Sequence, residues 1–187
     1  MKAFADQTFS KAGRGLFALA LAGGLAATSA CKRHDKAEPA VAGRTTPSGL
    51  PIPRYVSLKF GVVNARGGPG DDYKLDWIYR VKGLPLQVVA ETEEWRRVCG
   101  PDGAIAWVHK RTVAEHRTVM RTDPSDLTLR KRPTDTAEAS AILLGHALAE
   151  LKACDKGWCK LQVAHTSGWA PDNAVWGASD TPQCHAS

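Results

Sequence analysis

Nucleophilic or metal chemistry in this chain would have to be built from five cysteines, at positions 31, 99, 154, 159 and 184, and six histidines. Cys154 and Cys159 flank residues 155–158. A hairpin there would set the two on neighbouring strands, within the Cα separation of about 4.4 to 6.8 Å that a disulfide requires. Cys159 falls in register with Leu161 and Val163, whereas Cys154 falls in register with Lys152 and Glu150, so the hairpin needs a bulge to bring the sulfurs together. So small a ring constrains the unfolded chain modestly, by about 2 kcal/mol. A metal site would have to recruit His165 with Cys184 or His185. That spacing is irregular, where structural zinc favours compact knuckles, and no metal is expected. A thiol enzyme would need Cys99 or Cys159 as nucleophile with His109, His116, His146 or His165 as base, and no spacing singles out a pair. No catalytic residue and no cofactor is therefore expected, and the chain is read as a non-enzyme.

The elements that position these residues repeat. Arg66-Gly67-Gly68-Pro69 matches Arg130-Lys131-Arg132-Pro133, Gly83-Leu84-Pro85-Leu86 matches Gly145-His146-Ala147-Leu148, Trp95 with Val98 matches Trp158 with Leu161, and Ala106-Trp107-Val108 matches Gly168-Trp169-Ala170. From Pro to Gly the spacings are 14 and 12, from Gly to the first Trp 12 and 13, and on to the second Trp 12 and 11. Four anchors in one order at near-constant spacing indicate an internal duplication. Each copy reads as short strands separated by turns. Leu75, Trp77, Tyr79 and Val81 alternate with polar neighbours, residues 86–89 give a further strand, and residues 137–144 are assigned as strand by analogy with 75–82. Gly100-Pro101-Asp102-Gly103 and Asp155-Lys156-Gly157 supply turn geometry.

The flanks are different in kind. Residues 1–30 carry Lys2, Lys11 and Arg14, an apolar run over 16–27 and a small-residue cleavage region Thr28-Ser29-Ala30, the layout of a secretory signal peptide. The run is too short for a stable membrane-spanning helix. Its removal leaves 22 basic and 18 acidic side chains, a formal charge of +4 without a basic block, so no nucleic-acid partner is expected. Thr28-Ser29-Ala30-Cys31 resembles a bacterial lipoprotein signal, although Thr28 stands where that pattern usually has Leu. Either Cys31 receives a lipid, the only membrane contact expected, or ordinary cleavage after Ala30 leaves it free. Residues 31–54, with four prolines and no apolar periodicity, read as a flexible tether. Residues 178–187 read as a tail.

Each repeat resembles the bacterial Src-homology-3-like domain, whose usual run is an Arg-x-x-Pro entry, a turn glycine opening a strand, a Trp strand and a Gly-Trp-Val strand. The resemblance is carried by Gly83-Leu84-Pro85, Trp95-Arg96-Arg97-Val98 and Trp107-Val108-His109 in the first unit and by Gly157-Trp158-Cys159 and Gly168-Trp169 in the second, with Ala106 and Ala170-Pro171 as departures. It implies an all-β fold of two tandem small five-stranded β-barrels, over 55–117 and 118–177. It also implies a binding or targeting role in the periplasm or cell envelope, with no shared ligand. The expected partner is a peptide, a cell-wall polymer or an envelope protein. A structural spacer in an envelope complex is the alternative, and a cell-wall hydrolase comes third, because no stretch of roughly 100 residues remains to house one.

Within this frame Trp77, Tyr79, Trp107 and Trp169 are expected to be core, Trp107 through its register with Ile105. Trp95 and Trp158 are expected to be the binding residues. Trp158 alternates with the buried set Cys159, Leu161 and Val163, and so stands on the polar side of its strand as a flat platform with a hydrogen-bond donor. If the barrel closes as the resemblance implies, Tyr73, with Asp71 and Asp72, lies nearest to Trp95.

Overall fold

The computed structural model describes residues 46–179 and 181–184. The signal segment, Cys31 and His185 lie outside them. Strands β1 (Arg54–Leu58), β2 (Val63–Arg66), β3 (Leu75–Tyr79), β4 (Pro85–Glu91), β5 (Trp95–Cys99), β6 (Ile105–His109) and the two-residue β7 (Val113–Ala114) form one antiparallel sheet in the order β3-β2-β6-β5-β4-β1-β7. A second sheet is built from β8 (Thr118–Met120), β9 (Leu127–Arg130), β10 (Ala139–Leu143), β11 (Leu148–Asp155), β12 (Trp158–Val163) and β13 (Thr166–Pro171), in the order β10-β9-β13-β12-β11-β8. The orders match strand for strand once β7 is set aside, so the duplication in sequence is a duplication of topology. Residues 137–144 supply strand β10, as the alternation in their counterpart predicts. Among the described residues no helix is long and apolar enough to cross a membrane.

The cores are filled by leucine, valine and alanine side chains. Val56, Leu58, Val63, Ala65, Leu86, Val88, Val98, Ala106 and Val108 close the first, and Val119, Leu129, Leu143, Ala149, Cys159, Leu161 and Ala170 the second. Each buried Val or Leu contributes roughly 1.5 to 3 kcal/mol. Space inside is short. A Cβ on Gly168 would lie 2.2 Å from the Ser140 hydroxyl and 2.7 Å from Leu129 Cβ, so at this position strand β13 fits only as backbone. This overturns the expectation for Trp107 and Trp169. The residues facing inward on β6 and β13 are Ala106, Val108, Gly168 and Ala170, and both indoles stand half-buried on the outer face. Tyr79 is buried and Trp77 packs against the first core, as expected. Leu75 and Val81, at the ends of the same alternation, are exposed, because β3 is an edge strand paired only with β2.

The β11–β12 hairpin turns through Lys156 and Gly157, both at positive φ, the pair of conformations a type I′ turn demands. That turn pairs Asp155 with Trp158 and hence Cys154 with Cys159, while a bulge between Leu151 and Ala153 shifts the register. Cys154 and Cys159 are disulfide-bonded, at a Cα separation of 4.1 Å. A second disulfide joins Cys99 to Cys184, 85 residues apart. Two disulfides belong to an oxidising, extracytoplasmic compartment.

Both flanks prove more ordered at their barrel ends than their composition predicts. Residues 181–184 are docked on the first barrel. Tyr55 Oη donates to Gln183 Oε1 (2.8 Å), Cys184 N donates to Gln87 Oε1 (2.9 Å), and Trp176 meets Tyr55 edge-on with ring centroids 5.3 Å apart. At the other end, residues 46–53 are clasped by Glu91. Its carboxylate, 1 % exposed, accepts from Ser48 N (2.9 Å) and Oγ (2.5 Å) and pairs with Arg54 Nη2 (2.7 Å) and Arg96 Nε (3.1 Å). Burial pushes this carboxyl up, but the hydrogen bonds from Ser48 and Arg54 outweigh it and hold Glu91 at about 2. Residues 46–53, expected as part of a flexible tether, are therefore held against the first barrel, and residues 31–45 lie outside the described residues.

Candidate functional site

Strands β5 and β6 turn alternate residues outward, and on the first barrel these form a continuous strip. Trp95 pairs with His109, Arg97 with Trp107, and Cys99 with Ile105. Strand β2 adds Arg66 opposite Trp107. Trp95 thus stands on the face predicted for it, away from Val98. It is only 8 % exposed, however, and lies against the His109 ring with centroids 5.2 Å apart, so it is a buried wall and not an open platform. His109 Nδ1 accepts from Arg111 N (3.2 Å), and Nε2 lies 3.2 Å from Arg111 Nη2 and 3.6 Å from Glu94 Oε2. Glu94 is held below the usual carboxylate range, chiefly by its hydrogen bond from Lys110.

The long loop of residues 67–74 is folded around Tyr73. A Cβ on Gly68 would lie 2.1 Å from the Tyr73 ring, so the glycine is what lets the ring lie on the backbone. Arg66 Nη1 donates to Tyr73 O (2.8 Å), and Arg66 Nη2 lies 3.5 Å from the exposed Asp71. Between this loop and the strip lies a cleft of about 280 Å³, with Trp95, His109, Asn64, Arg66, Asp71 and Val62 in its lining. The structure thus brings Trp95 and Asp71 into one cleft. Tyr73, 47 % exposed, stands on the loop that borders it and is not itself in the lining. Trp158 occupies the matching place in the second barrel, half-buried and opposite Pro171 where Trp95 has His109, so the two tryptophans are equivalent in position and different in setting.

A second feature of the outer face is built from Trp107 and Trp169, the indoles that their register alone would put in the core. Across four strands of the first barrel, Arg66, Trp107, Arg97 and Ala90 are successive partners, and across the equivalent strands of the second they are Arg130, Trp169, Lys160 and Ala153. Arg66 and Arg130 also act alike. Arg130 Nη1 donates to Ala137 O (2.9 Å), as Arg66 does to Tyr73 O, and each holds the long loop of its own barrel. The signal for the outward indoles lies in the small residues beside them. Ala106 with Val108 and Gly168 with Ala170 are the sizes that fit a narrow barrel interior, which leaves the tryptophans outside.

The family model described as "Bacterial SH3 domain" matches the chain twice, over residues 59–115 and 123–177. The chain belongs to the bacterial SH3 domain family. Strands β1 and β8 begin ahead of the two matched stretches, at Arg54 and Thr118. Among solved structures the chain is similar to NlpC1 from Trichomonas vaginalis, at 10 % identity and a TM-score of 0.31, over 68 % of this chain and 46 % of that one. It is similar also to NlpC2 from the same organism, at 10 % identity and a TM-score of 0.32, over 67 % and 48 %. The chain spans just under half the length of both. The comparison with curated proteins finds no match. The five strands that the family resemblance implies for each SH3 domain become six here, plus β7 in the first, because β1 and β8 add to each sheet.

Proposed function

We propose that the tandem SH3 domains form a binding module of the cell envelope that works by recognition, not catalysis, and takes a peptide, a cell-wall fragment or another envelope protein. The observation that carries this reading is the cleft between the long loop of the first domain and the β5–β6 strip. Indole and imidazole wall it, while the Arg66 and Asp71 side chains supply charge of both signs at its mouth. Such a cleft suits a ligand with an apolar body and polar branches, the way aromatic-lined grooves hold extended peptides. A lipid on Cys31 would keep the module at a membrane surface. The spacer reading is favoured by a different observation: the Cys99–Cys184 bond fastens the segment after the second domain to the first, and Trp176, at the end of the second domain, meets Tyr55 of the first.

Capture on purified cell-wall sacculi and from envelope extract separates the two. Asp71→Ala alters an exposed side chain of the cleft and should leave thermal unfolding unchanged while weakening capture, whereas Tyr73→Ala also removes the ring around which the loop folds and should loosen it. Trp95→Ala, by contrast, removes buried packing and should lower stability as well. Capture that persists undiminished in the Asp71→Ala/Tyr73→Ala double variant would place recognition elsewhere.

A further inference from the structure

The two outward rows, Arg66–Trp107–Arg97–Ala90 and Arg130–Trp169–Lys160–Ala153, share only Arg66 with the cleft beside the long loop, and Trp107, Arg97, Trp169 and Lys160 are not in its lining. Nothing in the fold requires an indole on the outer face: the cores close on Ala106, Val108, Gly168 and Ala170. Each indole lies between two cations across the strands, with an alanine on the far side that leaves space above the sheet. In the first domain the row opens a cleft of about 440 Å³, lined by Trp107, Arg97, Ala90, Ile105, Ala106 and Gly67, with one cation and no carboxylate. Asp76 lies beside Gly67, but on β3, three strands from Arg97 in the order of the sheet. Among the described residues the ion pairs involve neither Arg97 nor Lys160, so both guanidinium and ammonium are available.

We propose that these rows are two equivalent binding sites for an anionic glycan, a sugar chain bearing carboxylates, with one sugar stacked on each indole and its carboxylate on Arg97 or Lys160. The backbone favours a sugar over a peptide. Each row crosses strands that have hydrogen-bonded neighbours on both sides, β6 and β5 in one sheet and β13 and β12 in the other, so it offers no open strand edge to an extended chain. What remains is a flat aromatic face with flanking charge. A pyranose satisfies the first with its C–H face and an attached carboxylate satisfies the second.

Titration calorimetry of the purified protein at low salt tests this with three probes: a short polyuronate oligosaccharide, an uncharged cello-oligosaccharide of equal length, and an oligoglutamate of equal charge. The polyuronate should bind at two equivalents per chain, weaken as salt rises, and bind at one equivalent to Arg97→Ala or to Lys160→Ala. The Arg97→Ala/Lys160→Ala double variant should lose affinity by about tenfold or more, the factor that corresponds to about 1.4 kcal/mol, with its thermal unfolding unchanged. Arg97→Lys should restore most of the first site. Unaltered affinity in the folded double variant, equal binding of the uncharged oligosaccharide, or tighter binding of the oligoglutamate would each overturn the proposal. None of these outcomes depends on capture by sacculi, so this proposal and the cleft reading stand or fall separately.

Discussion

Replacing Glu91 by glutamine removes one charge from a cluster in which two guanidinium groups and a serine have been gathered around it. The carboxyl is held at about 2 against an ordinary value of 4.5, so ionised Glu91 contributes on the order of 3 kcal/mol. With the carboxylate 1 % exposed and its partners Arg54 and Arg96 14 % and 9 % exposed, solvent screening takes little away. The folded-state value lies below the unfolded one. The contribution is therefore complete above pH 4.5 and disappears as pH falls toward 2. Urea unfolding of wild type and Glu91→Gln, followed from pH 7 to pH 2.5, should show a gap of about 3 kcal/mol that narrows steadily below pH 4.5. Other carboxylates held low, Glu94, Asp123 and Glu150, lie on the surface and are common to both proteins, so they cancel in the difference. A gap that stays constant across that range would mean that the glutamine costs packing and not charge, and the account of the clasp would be wrong.

Two further outcomes follow from packing and loop length. Removing the Cys99–Cys184 bond by paired alanines should cost roughly 4.5 kcal/mol through the 85-residue separation it spans, against about 2 kcal/mol for Cys154–Cys159, when each is measured by chemical unfolding under oxidising conditions; equal costs would mean that chain entropy is not the governing term. Gly168→Ala should destabilise the second domain by roughly 1 to 3 kcal/mol, the cost of overpacking, and a variant as stable as wild type would show that the β9–β13 crossing has slack.

Much of the fold was legible because its signals are local. The repeat anchors, the Lys156-Gly157 turn and the mismatch in face between Cys154 and Cys159 all lie within a few residues of what they specify, and the bulge between Leu151 and Ala153 resolves that mismatch. The polar side of β12 was likewise readable from Leu161 and Val163, and it placed Trp158 correctly. What failed was the inference that a large aromatic in register with Ile105 must be inside. Hydrophobicity favours burial in general, but volume decided here, and it is set by strands far away in sequence, as the approach of Gly168 to Ser140 and Leu129 shows. Cys184 and Ser48 were unreadable for the same reason. A polar, proline-containing segment carries no sign that Gln87 or Glu91, tens of residues distant, will hold it.

The two disulfides are nested: Cys154–Cys159 lies wholly inside the interval closed by Cys99–Cys184. For a chain that enters an oxidising compartment N-terminus first, Cys99 arrives long before its partner, and the first downstream thiol it meets is Cys154. With the Cys31 sulfur occupied by a lipid, pairing in order of arrival would therefore tie the first domain into the middle of the second. The type I′ hairpin works against that outcome. Lys156 and Gly157 bring Cys154 to Cys159 across the shortest loop available, the contact with the smallest closure entropy. Once those two thiols have consumed each other, Cys184 is the sole remaining downstream partner for Cys99. A turn of two residues in the second domain thereby acts as a proofreading step for a cross-link made by the first.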